Sequence, residues 1–223
     1  MISKENLLKW YDEKYCLEAV KRNGLALKCV KNQTEKICLV AVKQNGYTLK
    51  YVKNQTEKIC LAAIKQDPYA IQFVKNQTEE MCLEAIKNNE GTLQFIRNPT
   101  KKIHLQAIKQ NIYNLKYIND QTEEICLEAI KNSGYALQFI KNQTEKICLE
   151  AVKKDPWALQ FVHNQTKEIC LKAVKKDPWV LQFVQNQTEE MCFEALNRNI
   201  ETIKYIDIKR FPKVYEKYLF MIK

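Results

Sequence analysis

The sequence predicts an all-α fold, an α-solenoid or superhelix of about nine two-helix repeats, and three observations predict it. A cysteine recurs every 22 residues at Cys16, Cys38, Cys60, Cys82, Cys126, Cys148, Cys170 and Cys192, with His104 in the one remaining place. A threonine keeps the same period from Thr34 to Thr188, with Asp12 opening the series, and no insertion interrupts either register. Within each unit the apolar residues recur at helical spacing.

Residues 1–11 contain Ile2, Leu7, Leu8, Trp10 and Tyr11 and read as an amphipathic N-terminal cap, with Ser3 as its own N-cap. Nine repeats follow over residues 12–206, and the unit 142–163 shows their logic. Thr144 is an N-cap, and Glu145 suits the positive end of the helix dipole. Ile147, Cys148, Leu149, Ala151 and Val152 make helix A, about ten residues, apolar around most of its circumference. Asp155-Pro156 then reads as an N-cap followed by Pro at the first position of helix B, about seven residues. Trp157, Phe161 and Val162 are the expected buried stripe of helix B. Other copies turn through Asn45-Gly46 or Ser133-Gly134 instead. Both helices fall short of the roughly 12–15 residues at which an isolated helix is even marginal. Each must be buried between neighbours, as stacking allows. Residues 207–223 place Val214 on the cysteine register and read as a C-terminal capping helix. The whole of 1–223, with 4 Gly and 5 Pro and no linker-like stretch, reads as a single repeat domain.

The composition is 46% hydrophobic and 28% charged, enough for a packed core. No apolar run approaches the roughly 18 residues of a membrane span. The first residues lack the apolar core of a signal peptide. The expectation is a soluble intracellular chain, cytoplasmic, with reduced cysteines and no membrane partner. The formal charge of +10 favours association with acidic partners or nucleic acid.

The stretch 126–145, Cys-Leu-Glu-Ala-Ile-Lys followed by Gly-Tyr-Ala-Leu-Gln-Phe-Ile-Lys-Asn-Gln-Thr-Glu, resembles the repeat family called domain of unknown function 4116. The resemblance covers about residues 12–206. That family is abundant in giant DNA viruses of amoebae and occurs in some bacteria and protists. The resemblance implies a helical repeat protein of viral type, in host cytoplasm or a viral particle. It implies no known activity and carries over no functional residue.

The residues argue against catalysis. Nine cysteines, an odd number without any CxxC pair, do not form a disulfide or zinc framework. Equivalent positions on packed helices lie about 8–10 Å apart, beyond a disulfide's reach. The cysteine ladder, with Cys29 at an aromatic position, therefore reads as small core residues. His104 and His163 are more than two repeats apart, and Ser occurs only at Ser3 and Ser133. No nucleophile–base pair and no phosphate loop is visible, and no cofactor or metal is expected. The columns Tyr47, Tyr69, Tyr135, Trp157, Trp179 and Tyr51, Phe73, Phe139, Phe161, Phe183 read as core rather than base-stacking platforms. The recurrent Asn-Gln-Thr loops read as caps whose Gln bonds to neighbouring loops. One repeat departs from the pattern, with Glu90-Gly91 at the start of helix B, then Pro99, Lys101 and His104.

The charge columns carry the functional expectation. On helix A, Glu84 with Lys87, Glu128 with Lys131 and Glu150 with Lys153 are i,i+3 pairs that neutralise one another. Helix B presents two columns without an acid. The first contains Lys28, Lys50, Gln72, Gln94, Lys116, Gln138, Gln160 and Gln182, and the second Lys31, Lys53, Lys75, Arg97, Lys141, His163 and Gln185. Repeat solenoids use such extended surfaces for partners. The expectation is a non-enzymatic scaffold that binds another protein through this stripe. Nucleic-acid binding through the same cations is the first alternative, and a structural role in a viral particle the second. The pattern does not encode the oligomeric state.

Overall fold

The computed structural model describes residues 8–223. Helix A occurs nine times as a ten-residue α-helix, from Glu13–Arg22 to Glu189–Arg198. Helix B follows each copy, from Gly24–Cys29 to Ile200–Tyr205. A final α-helix spans Pro212–Met221, with Val214 fully buried on the cysteine register. Among the described residues there is no strand, and the fold is an all-α repeat solenoid. The chain forms two compact units, Met1–Tyr117 and Ile118–Lys223. Inside each, helix A packs on the next helix A and helix B on the next helix B.

The caps explain the boundaries. The Thr144 hydroxyl accepts from the Ile147 amide at 3.3 Å, and Thr34, Thr56 and Thr166 repeat the contact. Asp155 Oδ1 accepts from the Trp157 amide at 3.0 Å and ends helix A as it starts helix B. Ile147, Cys148, Ala151 and Val152 are buried as expected, whereas Leu149 lies half-exposed.

Helix B differs from expectation in kind. It is a six-residue 3₁₀ helix rather than about seven residues of α-helix. Ala158 N donates to Asp155 O and Val162 N to Leu159 O, at 3.0 and 3.1 Å. A segment this short between two fixed caps completes two turns of three residues, and i→i+3 bonds close sooner than i→i+4 bonds. The stripe shifts with it. Ala158, Leu159 and Val162 are the buried residues, while Trp157 and Phe161 are only half-buried. Cys29, expected in the core, is half-buried too.

A short 3₁₀ helix leaves end groups that need partners, and the loop glutamine supplies them. Gln143 Nε2 donates to Leu137 O at 3.2 Å, in one helix B, and to Phe161 O at 2.9 Å, in the next. Its Oε1 accepts the His163 amide at 3.0 Å and the Cys148 thiol at 3.7 Å. Gln33, Gln55 and Gln165 make the same four contacts. One amide therefore ties together the ends of two successive helix B segments. The cysteine is more than filler, because its thiol holds the amide oxygen in place. At the N-terminal end, Tyr11 stands on the glutamine register and the main chain substitutes. Trp10 O accepts the Lys31 amide at 3.1 Å and the Cys16 thiol at 3.4 Å. Of the expected N-terminal cap, Lys9–Tyr11 form a 3₁₀ turn, while Ile2, Ser3 and Leu7 lie outside the described residues. Pro99 and His104 replace the glutamine and cysteine together, and the chain divides into its two units after Tyr117, the residue whose carbonyl that glutamine would hold.

Replacing Gln143 by Leu removes four hydrogen bonds, three of them to main-chain groups that are left stranded, which should cost about 2–3 kcal/mol. Replacing Gln160, an exposed glutamine on helix B, should cost under ~0.5 kcal/mol. Urea unfolding of the two variants checks the contrast.

Candidate functional site

The two cationic columns occupy different local structures. Lys28, Lys50, Gln72, Gln94, Lys116, Gln138, Gln160 and Gln182 lie on helix B. All are exposed except Gln72, which is half-buried. The second column was placed on helix B by the sequence, and the structure corrects this. Lys31, Lys53, Lys75, Arg97, Lys141, His163 and Gln185 are the first residues past its C-cap, in the turn, and all are exposed. The 3₁₀ helix ends one residue early, at the buried Val or Ile, so the cation falls beyond it.

On the helix column the glutamines fold back. Gln94, Gln138, Gln160 and Gln182 donate at 3.0 Å to the carbonyl three residues before. Lys50 Nζ lies 5.0 Å from the Tyr51 ring centre, and Lys116 Nζ 4.7 Å from that of Tyr117, both at cation–π range.

The turn column is a ladder in the first unit. Lys53 Nζ donates to Lys31 O, and Lys75 Nζ to Lys53 O, both at 2.9 Å. Arg97 Nη1 donates to Lys75 O at 2.8 Å and its Nη2 to Val74 O at 2.6 Å. Each cation satisfies a carbonyl one repeat back. A carbonyl is neutral, so the positive charge is fixed in place but not compensated. Among the described residues no member of either column forms an ion pair. In the second unit, Lys141, His163 and Gln185 are held through their amides by Gln121, Gln143 and Gln165.

Helix A behaves oppositely. Its lysines pair within a helix, as Lys131 with Glu128 at 3.1 Å and Lys153 with Glu150 at 3.4 Å. They also pair between repeats, as Lys58 with Glu35 at 2.7 Å, Lys102 with Glu79 at 3.3 Å, and Lys146 with Glu123. Glu84 accepts from Asn88 Nδ2. Such exposed pairs add little stability, but they offset part of the charge on this face. Sequence reading missed one feature here. Leu61, Leu83, Leu127 and Leu171 are half-exposed and line open grooves, one of about 930 Å³ beside Leu61 and one of about 460 Å³ beside Leu127. Their place next to the cysteine, off the buried face, was the available signal.

The net charge is also unevenly divided. Residues 1–117 carry 20 Lys and Arg against 11 Asp and Glu, and residues 118–223 carry 16 against 15. The cationic character belongs to the first unit.

The aromatic residues meet across repeats, edge to face. Tyr47 meets Phe73 at 5.4 Å between ring centres, Tyr69 meets Phe95 at 5.8 Å, and Trp157 meets Phe183 at 5.5 Å. Trp157 Nε1 also donates to Asp177 at 2.8 Å. Among the described residues no three His, Cys, Asp or Glu gather as a metal site. No helix there is long and apolar enough to cross a membrane. His104 sits half-buried in the helix Lys101–Gln110.

Burial pushes the ladder thiols up. Cys82, Cys148, Cys170 and Cys192 move from the usual 9.0 to about 11, chiefly by desolvation, with Glu79 and Glu145 adding to it at Cys82 and Cys148. From pH 9 to 11 the unfolded chain loses these protons and the folded chain keeps them, so stability should fall as pH rises through that window. Thermal unfolding against pH checks it, with Cys→Ser variants flattening the decline. Iodoacetamide at neutral pH should label Cys29 in the folded chain and leave the buried thiols intact.

A family model described as "Domain of unknown function (DUF4116)" matches residues 12–56, 36–78, 100–145, 122–166 and 144–188. No curated protein and no solved structure matches the chain.

Proposed function

This chain belongs to the DUF4116 family, whose description names no activity, and we propose that it is a non-enzymatic repeat scaffold that binds another protein through its helix B face. The observation that supports this reading is the uncompensated ladder of Lys31, Lys53, Lys75 and Arg97, beside Lys28 and Lys50. Several helix A lysines meet glutamates, whereas Lys53, Lys75 and Arg97 meet neutral carbonyls and Lys50 meets a ring. Charges arranged in this way steer encounter and set specificity for an anionic partner. Nucleic acid is the alternative occupant. Recognition of single strands leans on ring faces that receive bases, and the rings of helix B already engage each other edge to face. That favours protein.

The test is capture by the tagged full chain from cell extract, with and without nuclease, beside the variant K28E/K31E/K50E/K53E/K75E, its fold verified by circular dichroism. The expected result is a set of proteins that survives nuclease and is lost on the variant. Proteins retained by the folded variant would overturn the helix B reading, and proteins lost with nuclease would transfer it to nucleic acid.

A further inference from the structure

Resting on that scaffold reading, we infer that the occupant of the ladder is an acidic polypeptide segment in polyproline II conformation, with a carboxylate at every third residue. The location follows from charge, since almost all the basic excess lies in residues 1–117, where the Lys31, Lys53, Lys75 and Arg97 ladder also lies. The chemistry follows from the donors. A lysine ammonium has three N–H groups and a guanidinium five. Lys53 and Lys75 each give one to a carbonyl, and Arg97 gives two. Donors remain on every rung, and on Lys53, Lys75 and Arg97 they belong to side chains whose positions the fold already sets, so less ordering is lost on binding.

The spacing of acids follows from the repeat. The rungs are one repeat apart, and packed neighbours lie about 8–10 Å apart. A polyproline II chain returns the same face every three residues and rises about 3.1 Å per residue, or roughly 9.3 Å per turn. Acids at every third residue then all face the ladder, one per rung. A β-strand turns successive third residues to opposite faces, and cannot match this pitch with one side. The carbonyls at three of the rungs, those of Lys31, Lys53 and Lys75, already accept a cation and so repel the acids less.

The test uses the full chain and fluorescence anisotropy with labelled peptides. A peptide of four Glu-Pro-Pro triplets should bind, with affinity falling steeply as salt rises. The Gln-Pro-Pro counterpart should not bind, and a peptide with its four Glu grouped at one end should bind about tenfold more weakly. K53E/K75E should abolish binding. K31E, which breaks no described side-chain bond, should weaken it several-fold and covers the case in which K53E/K75E does not fold. K146E/K153E on helix A should leave it unchanged. Equal binding of the glutamine or grouped peptide, or indifference to K31E, would overturn the inference. So would a thymidine oligomer of equal charge that binds more tightly than the glutamate peptide. If no peptide binds while the charge-reversed chain still loses its captured proteins, the scaffold reading stands and this inference alone fails.

Discussion

The glutamine amide that recurs at the repeat junctions is the constraint on which the rest of the molecule depends. A six-residue 3₁₀ helix has too few internal bonds to persist alone, and its last carbonyls and the amide beyond its cap face a junction between repeats. Gln143 gives two hydrogens to carbonyls 24 residues apart in sequence and receives the His163 amide on its oxygen. A side chain that donates twice and accepts at once can be satisfied only when successive repeats stand in one relation. The 22-residue period is therefore not just a packing rhythm. It is the spacing at which one amide reaches both partners. The Cys148 thiol, buried and held neutral by desolvation, completes the oxygen's coordination.

The same junction creates the surface. The amide that Gln33 accepts belongs to Lys53, so the residue whose backbone is clamped is also the one that carries the charge. Its ammonium then reaches back to Lys31 O. Backbone clamp and cation ladder are two ends of one residue, and the regularity of the first gives the second its regular spacing. Helix A carries more lysines but sets several of them beside glutamates at i,i+3 or across the repeat, which offsets part of its charge. Position, rather than number of cations, distinguishes the two faces.

Much of this is legible in the sequence. The cysteine and threonine registers give the repeat, the Thr and Asp caps give the helix starts, and Asp155-Pro156 gives the break between helices. The acid-free columns are visible as well. Helix B as a 3₁₀ helix is not, because a six-residue apolar segment between caps has the same composition in either geometry, and only the bonds decide. That error moved Lys31, Lys53 and Lys75 from a helix face to a turn. The half-exposure of Leu149 and Trp157 was hidden for a related reason. Hydrophobicity marks a residue as able to be buried, but the second neighbour that would cover it belongs to the array rather than to the unit. The glutamine's role was half-visible. A polar residue repeated almost unchanged implied a bond to neighbouring loops, but nothing in the pattern of a single chain tied it to the cysteine.

The most direct measurement of the clamp is amide hydrogen exchange in the native chain. Lys53, Lys75, Lys141, His163 and Gln185 are exposed turn residues whose amides each donate to a glutamine oxygen one repeat away. These amides should exchange as slowly as the buried amides of helix A in the same unit, opening only when the repeats separate. Exchange of these five amides at the rate of the neighbouring exposed Asn32, Asn54 and Asn142 would contradict it.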